Sequence, residues 1–480
     1  MVLTTQQKDR AVGVVLGAAL ADAVGAPYEF QAPLAADQPV RLAAGGTFGW
    51  EKGEWTDDTS MAVPILRALA AGEPLDDAAT LGGIVGAWKD WARDAKDVGI
   101  QTRQVLGRAE STEASAVAAS DALHAETGRS GGNGSLMRLA PVIVATLDDA
   151  GRTAAAAARQ STLTHHDPEA AEACVLWALT VRHAVLTGEA DLRALPADRA
   201  AHWAALLDEA EAHLPVHWYG SNGWVRSSLQ SAWSAVVHGT DYRSRVELAV
   251  RGGGDTDTVA AITGMLEGAL AGHSRLPLTW LRHLHGWGGR DIIATGDDLA
   301  RLTEIVLDGA PGRPGAWPRV ERMPVSDDTT PPVAHPDDPG VLLADLSALD
   351  GPPAGVDAVV SLCRVGTAQP APAAGVRPEH HVRVRLIDQQ GTNLDPAATL
   401  REVADVIADL RAEGRTVLVH CYEARSRTAA AAAAYSVLRF GVEPETALER
   451  SIKVLRHANP RGFLRDAVRS LTPRDGAATR

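Results

Sequence analysis

The sequence predicts a two-part chain: an all-α bundle followed by a small α/β domain with a mainly parallel sheet. Three observations predict it. The chain has 480 residues, more than one ordinary core organises. Residues 1–310 carry apolar side chains at helical spacing in Ala-rich stretches such as RTAAAAARQSTL and DPEAAEACVLWALTVRHAVL, with few β-branched runs. From residue 341 onward, short β-branched runs (VLLADLSAL, VDAVVSLCRV, HHVRVRLID, TVLVHC) alternate with the helical patterns LREVADVIADLRAEG and RTAAAAAAYSVLRFG, as in a sheet whose strands are joined by crossover helices. Between the two parts, residues 311–340 are dense in Pro, Asp and Gly, the composition of a linker or extended strap.

Charge and cysteine usage narrow the function. Lys and Arg number 46 against 60 Asp and Glu, a net charge of −14. That balance argues against nucleic acid or a membrane surface as partner. It is uneven: residues 1–310 hold 25 basic and 39 acidic side chains, residues 341–480 hold 18 and 16. Three cysteines, Cys174, Cys363 and Cys421, make no disulfide framework. The N-terminus MVLTTQQKDR lacks the charged-then-apolar run of a signal peptide. No apolar run was expected to reach the ~20 residues of a membrane span, and a cytoplasmic protein is expected.

The first part carries two oxygen clusters, each ahead of an expected helix. EWTDDTS (54–60) presents Thr56, Asp57, Asp58 and Thr59, and GGGDTDTVAAITG (252–264) presents Asp255, Asp257 and Thr258. Each alone serves equally as helix capping. Together they exceed what two caps need, and adjacent carboxylates repel unless a cation or proton intervenes. Carboxylates and hydroxyls without His or Cys select Mg²⁺, Mn²⁺ or Ca²⁺ over zinc, and four carboxylates suffice for two ions. Nearer the N-terminus, Gly13, Gly17, Ala21 and Gly25 recur at i, i+4 in AVGVVLGAALADAVGAPYEF, a stripe for close helix packing. Asp22 and Glu29 lie at its end. Asp22 reads equally as an ordinary buried hydrogen-bonding residue, and Glu29 as a surface carboxylate.

In order along the chain, GAALADAVGAPYEF, WTDDTSMA, KDVGIQT, GNGSLMRLAPV, LTHHDPEA and GGGDTDTVAAITGMLEGALAG resemble the ADP-ribosylglycohydrolase family of the dinitrogenase reductase-activating type, over about the first 310 residues. The resemblance implies an all-helical bundle with two Mg²⁺ ions, Mn²⁺ being possible. It implies that Thr56, Asp57, Asp58, Asp255, Asp257 and Thr258 surround the metal. It further implies that Glu29 coordinates or gates, that Asp97 lies near the scissile bond, that Asn133, Gly134, Ser135 and Met137 run along the ADP-ribose, and that His165 lies near the nucleotide. Ile100 stands where the family often has Asn, which leaves the target preference open. The expected reaction removes ADP-ribose from a modified protein or small molecule.

In the second part, TVLVHCYEARSRTAAAAAAYSVLRFG (416–441) reads as strand, loop and helix. Cys421 would sit at the strand end, where loop amides and a helix N-terminus lower a thiol pKa and attract a phosphate. Arg427 offers a planar fork for two oxygens, and Thr428 a hydroxyl. The stretch resembles the Cys-x5-Arg loop of protein-tyrosine and dual-specificity phosphatases over about 341–480. The resemblance implies a phosphoester substrate, with Asp388 as general acid. Ala424 stands where that family usually has Gly, so binding of phosphate with little or no turnover is the alternative. Cys363 is expected to be a core residue.

Overall fold

The computed structural model describes residues 1–192, 197–309, 324, 329–366, 369 and 375–472. The chain divides into two compact units. One takes residues up to His273 together with the stretch from His283, and the other takes Ser274–Arg282 with the C-terminal part.

The first unit is built around two helices, Thr5–Gly25 and Thr256–Ala271. The first begins at a capping box, in which the Thr4 hydroxyl and the Gln7 side chain each bond the other's backbone amide. Almost every later residue of that helix is buried, polar Asp22 included. The two helices cross glycine on glycine. A Cβ on Gly17 would stand 2.8 Å from the Gly268 Cα, and Cβ atoms on Gly13, Gly264 or Gly268 would collide with carbonyl oxygens of the facing helix. At the end of this contact a Cβ on Gly25 would stand 2.5 Å from the Cα of Asp257. The small-residue stripe therefore draws the last turn of one helix onto the first turn of the other, bringing Asp22 and Asp257 together.

Around this pair pack the helices Asp57–Ala70, Ala140–Ala145, Pro168–Thr187, Val225–His238, Tyr242–Arg251 and Gly296–Asp308, with Ala78–Trp91 behind the first of them. The unit is mostly helical rather than all-α. Strands β1 (His285–Gly289) and β2 (Ile292–Thr295) form an antiparallel hairpin, too short and glycine-rich to stand out in the sequence. Among the described residues two helices, Thr5–Tyr28 and Pro168–Thr187, are long and apolar enough to cross a membrane, contrary to expectation. The first has 94% of its apolar window buried inside the protein, the position of a core helix.

The second unit holds a five-stranded mixed sheet. Its strands are β3 (Val333–Ala334), β4 (Val341–Ala344), β5 (Ala358–Ser361), β6 (His381–Arg383) and β7 (Val417–His420), in the order β3-β4-β7-β5-β6. Only β3 is antiparallel to its neighbour. The alternation along each strand covers both faces: Val341, Val360, Val417 and Val419 enter one apolar cluster, Val359 and Leu418 the other.

Two expected boundaries shift. The end of the expected linker is structured, since Val333–Ala334 forms β3 and Asp338 accepts from Arg411 and Tyr435. Ser274–Arg282 packs with the second unit. Leu278 joins its core, and the Arg282 guanidinium lies 2.8 Å from Asp409 and also pairs with Glu413.

Gly17→Ala is expected to lower the stability of the first unit by about 3 kcal/mol, the upper range for overpacking against backbone that cannot yield. Thermal unfolding followed by circular dichroism checks this; an unchanged Tm would contradict the packing described.

Candidate active site

Three helix ends deliver the acidic residues. Thr56 caps the helix Asp57–Ala70, which places Asp57 and Asp58 in its first turn, and Asp257 lies in the first turn of Thr256–Ala271. Asp22 comes from the last turn of Thr5–Gly25, and Glu29 follows the single 3-10 turn after it. Carboxylate oxygens of Asp22, Asp58 and Asp257 lie within 4.8 Å of one another, and so do those of Glu29, Asp255 and Asp257. Asp257 belongs to both groups.

A pair of negative charges about 4 Å apart repels by about 4 kcal/mol at an effective dielectric near 20. Three such pairs in one group rival the whole margin of a folded domain, about 5–15 kcal/mol. The carboxylates must therefore bind protons or cations. Burial, reinforced by repulsion from Asp255, Asp97 and Asp57, pushes Glu29 up to about 9. Burial with repulsion from Asp97 and Asp22 pushes Asp57 up to about 8. Asp58 and Asp257 are driven well above the carboxylate range by the same causes. Asp22 rises only to about 6, because its burial is offset by hydrogen bonds from Thr59 and Thr56. Burial also raises Asp97 and Asp255.

The donor set fits divalent cations. Glu29 Oε2, Asp58 Oδ1 and Asp257 Oδ1 are buried and have no hydrogen-bond partner among the described residues. The other oxygens are held in place. Asp22 accepts from the Thr56 amide at 3.0 Å, the Thr59 amide at 3.1 Å and the Thr59 hydroxyl at 2.6 Å. Asp58 Oδ2 accepts from the hydroxyls of Thr56 at 3.1 Å and Thr258 at 3.3 Å. Thr56 and Thr258 thus orient a carboxylate as well as offering oxygen themselves. Asp22 and Thr59 are the acidic and hydroxyl partners that the sequence left ambiguous. Asn222, which accepts from the Asp255 amide at 3.2 Å and donates to the Gly253 carbonyl at 2.8 Å, had only an ordinary Asn-Gly turn as its signal.

The loop 132–137 lies against this group. Asn133 donates to Asp255 Oδ2 at 2.7 Å. A Cβ on Gly134 would stand 3.0 Å from the His165 ring, so the glycine lets the loop lie on the imidazole. Burial pushes the pKa of His165 well below its usual value, keeping the ring neutral, and its Nδ1 pairs with the Thr164 hydroxyl at 2.7 Å. Ser135 and Met137 point away from solvent. Ser135 bonds Ser161 at 2.9 Å and Met137 packs in the apolar cluster of Met61, Ile65 and Trp88. Asp57 and Asp97 line one cleft, and the Gly99 amide bonds Asp57.

In the second unit, Cys421 follows the central strand β7, and Arg427 and Thr428 begin the helix Arg427–Phe440. The Thr428 hydroxyl and Arg427 Nε are buried and without partner among the described residues. Arg427 Nη1 donates to the carbonyls of Leu362 and Leu386 at 2.8 and 3.1 Å. Asp388 accepts from Ser426 at 2.7 Å, across the loop from Cys421. Behind the cysteine, Ser361 joins His381 and His420 at 2.9 and 2.7 Å. Ala424 has φ 56°, the left-handed conformation where a glycine is expected, at a cost of about 1–2 kcal/mol. Burial pushes the Cys363 thiol to about 12 and that of Cys174 to about 11, as suits core thiols.

Residues 3–311 match the profile of the ADP-ribosylglycohydrolase family. The chain is 28% identical over 316 residues to the ADP-ribosylarginine hydrolase Tri1 of Pseudomonas putida, covering 64% of this chain and 81% of that one. It is 29% identical over 306 residues to the ADP-ribosyl-[dinitrogen reductase] glycohydrolase of Rhodospirillum rubrum, covering 62% and 97%. A 99-residue stretch is 31% identical to the dual specificity protein phosphatase 1 of Arabidopsis thaliana, covering 19% of this chain and 49% of that one. A mostly helical unit with two carboxylate groups meeting at one aspartate is thus joined to a small mixed α/β unit. The chain belongs to the ADP-ribosylglycohydrolase family, and it is a hydrolase of ADP-ribosyl bonds.

Acids whose native pKa is raised bind more protons folded than unfolded between about pH 4 and the folded values, so stability falls as pH rises through that window. In chelator, Tm is expected to fall between pH 6 and pH 9, as Asp57 (about 8) and Glu29 (about 9) deprotonate. Millimolar Mg²⁺ should remove most of that fall. A Tm indifferent to both pH and Mg²⁺ would contradict the reading.

Proposed function

We propose that the first unit is a Mg²⁺-dependent hydrolase that cleaves the bond between ADP-ribose and an arginine side chain of a modified protein. The observation that carries it is the convergence of two carboxylate groups on Asp257, with three oxygens that have no partner among the described residues. The name of the similar hydrolase Tri1 supplies the arginine linkage, and that of the dinitrogen reductase glycohydrolase a protein as carrier. Asp22, Asp58 and Asp257 would hold one ion, and Glu29, Asp255 and Asp257 the other, with Mn²⁺ able to replace Mg²⁺. Bound there, the ions supply Lewis acidity toward the ribose hydroxyls and the attacking water.

The chain's own residues do the rest. Asn133 and the 132–134 loop, resting on neutral His165, orient the nucleotide side. Asp97, in the cleft wall, faces the departing guanidine and favours its cationic form. The bond from ribose C1″ to nitrogen breaks through an oxocarbenium-like state, its electron pair leaving with the nitrogen. Water adds to C1″ and gives up one proton to a carboxylate, Glu29 in this reading, and the leaving nitrogen gains one.

A second activity is favoured by the Thr428 hydroxyl and Arg427 Nε, buried donors beside the Cys421 loop that have no partner among the described residues. The thiolate would attack phosphorus while Asp388 protonates the departing oxygen, and water would then release phosphate from the cysteine. The strained Ala424 supports the alternative in which this loop binds phosphate and turns it over slowly or not at all. The partners are thus an ADP-ribosylated protein or ADP-ribose derivative and a phosphoester, in a cytoplasmic setting.

The test uses the full chain on an ADP-ribosylarginine peptide and on para-nitrophenyl phosphate, with Mg²⁺ and with chelator. Release of ADP-ribose only with Mg²⁺, and release of phosphate abolished by Cys421→Ser alone, would support both readings. Absence of ADP-ribose release with Mg²⁺ would overturn the first; absence of phosphate release would leave the loop as a binding site.

A further inference from the structure

We infer that the cleft beside Asp57 and Asp97 is the seat of a basic peptide segment of the ADP-ribosylated protein, flanking the modified residue. The inference rests on the hydrolase reading of this unit and adds the chemistry of what lies on the leaving-group side.

The cleft encloses about 340 Å³, at the lower end of ligand pockets at roughly 300–1,000 Å³, which is room for a few side chains. Its walls carry six carboxylates, those of Glu54, Asp57, Asp90, Asp94, Asp97 and Asp291, against two cations, Lys96 and Arg290. One of those cations is already engaged: Lys96 Nζ lies 2.6 Å from Glu54 and 5.1 Å from the centroid of the Trp50 ring. Asp94 and Asp291 have no ion-pair partner among the described residues and lie exposed at the mouth. Tryptophans supply the apolar wall. Trp91 and Trp287 meet edge to face at 6.5 Å, and Ile293 beside them is 70% exposed.

This lining discriminates between the two halves of the substrate. The pyrophosphate of ADP-ribose would meet a ring of like charges here, so the nucleotide lies on the other side of Asp57 and Asp97, toward Asn133. What remains for the cleft is the polypeptide that carries the modification. Carboxylates beside indole faces suit lysine and arginine side chains, by ion pairing and by attraction to the ring quadrupole. A further observation favours a peptide over a free cation. The indole N–H of Trp50 is buried in the cleft wall, the residue being 6% exposed, and has no acceptor among the described residues. A backbone carbonyl of a bound peptide supplies one.

The test compares kcat/KM of the full chain, with Mg²⁺, on two ADP-ribosylarginine peptides of equal length, one flanked by lysines and one by glutamates. The lysine peptide is expected to be favoured at least tenfold at low salt, and less at 0.5 M salt, where exposed charges are screened. The double variant D94N/D291N, exposed positions that put the fold at little risk, should cut the preference about threefold or more. A parallel arm measures anisotropy of a labelled lysine-rich peptide without ADP-ribose, which should bind more weakly to the variant. Equal kcat/KM for both peptides, or a preference that the variant leaves intact, would overturn the inference while sparing the hydrolase. If neither peptide is hydrolysed, the protein-directed hydrolase reading fails. The anisotropy arm then decides the cleft by itself: variant-sensitive binding supports it, and absence of binding removes it.

Discussion

Backbone meets backbone where Thr5–Gly25 crosses Thr256–Ala271, and the active-site arrangement depends on it. Glycine at 13, 17, 264 and 268 lets the helices approach until any Cβ would collide. That approach has a direct consequence at its far end. Gly25 abuts Asp257, so Asp22 on one helix and Asp257 on the other must share a small volume with Asp58. Close packing, a stability feature, thereby fixes an electrostatic problem in one place.

That problem is what makes the site chemically useful. Carboxylates buried near one another hold protons tightly, and a divalent cation relieves both burial and repulsion at once. The threonines divide the labour. Thr59 binds Asp22, Thr56 binds Asp58, and Thr258 reaches both Asp58 and Asp255. Each leaves at least one carboxylate oxygen in the group without a proton donor. Helix N-termini add their partial positive charge behind Asp57, Asp58 and Asp257, which steadies the anions without satisfying them.

Consecutive acids and threonines ahead of two apolar helices were legible as a pair, because together they exceed what two caps need, though either alone reads equally as capping. Asp22 was not, since a buried aspartate in a small-residue helix gives no sign of its neighbours, and only the crossing helix and the Thr56–Thr59 turn bring it beside Asp58 and Asp257. Loop residues 132–137 were legible as a segment but not one by one. Asn133 and Gly134 reach the site, whereas Ser135 and Met137 complete the core beneath it, a division set by which way the turn faces. The hairpin β1–β2 and the segment Ser274–Arg282 escaped for a related reason. Their signals are short and their placement is tertiary: the Trp55 amide and the Arg67 guanidinium hold the hairpin at His285 and Gly288, and Leu278 and Arg282 find Glu402 and Asp409, 120 or more residues away. Ala424 ran the other way: the resemblance marked it as standing where a glycine is usual, and its φ of 56° is the left-handed conformation that favours glycine.

The most direct test of the central claim is calorimetric titration of Mn²⁺ into the purified full chain, alongside Asp58→Asn and Asp257→Asn, with folding of each checked by circular dichroism. Because Asp257 belongs to both carboxylate groups and Asp58 to one, the account predicts two ions in the wild-type chain, one weakened by Asp58→Asn and both weakened by Asp257→Asn. No binding to the wild-type chain, or an Asp257→Asn variant that still takes two ions with unchanged affinity, would contradict it.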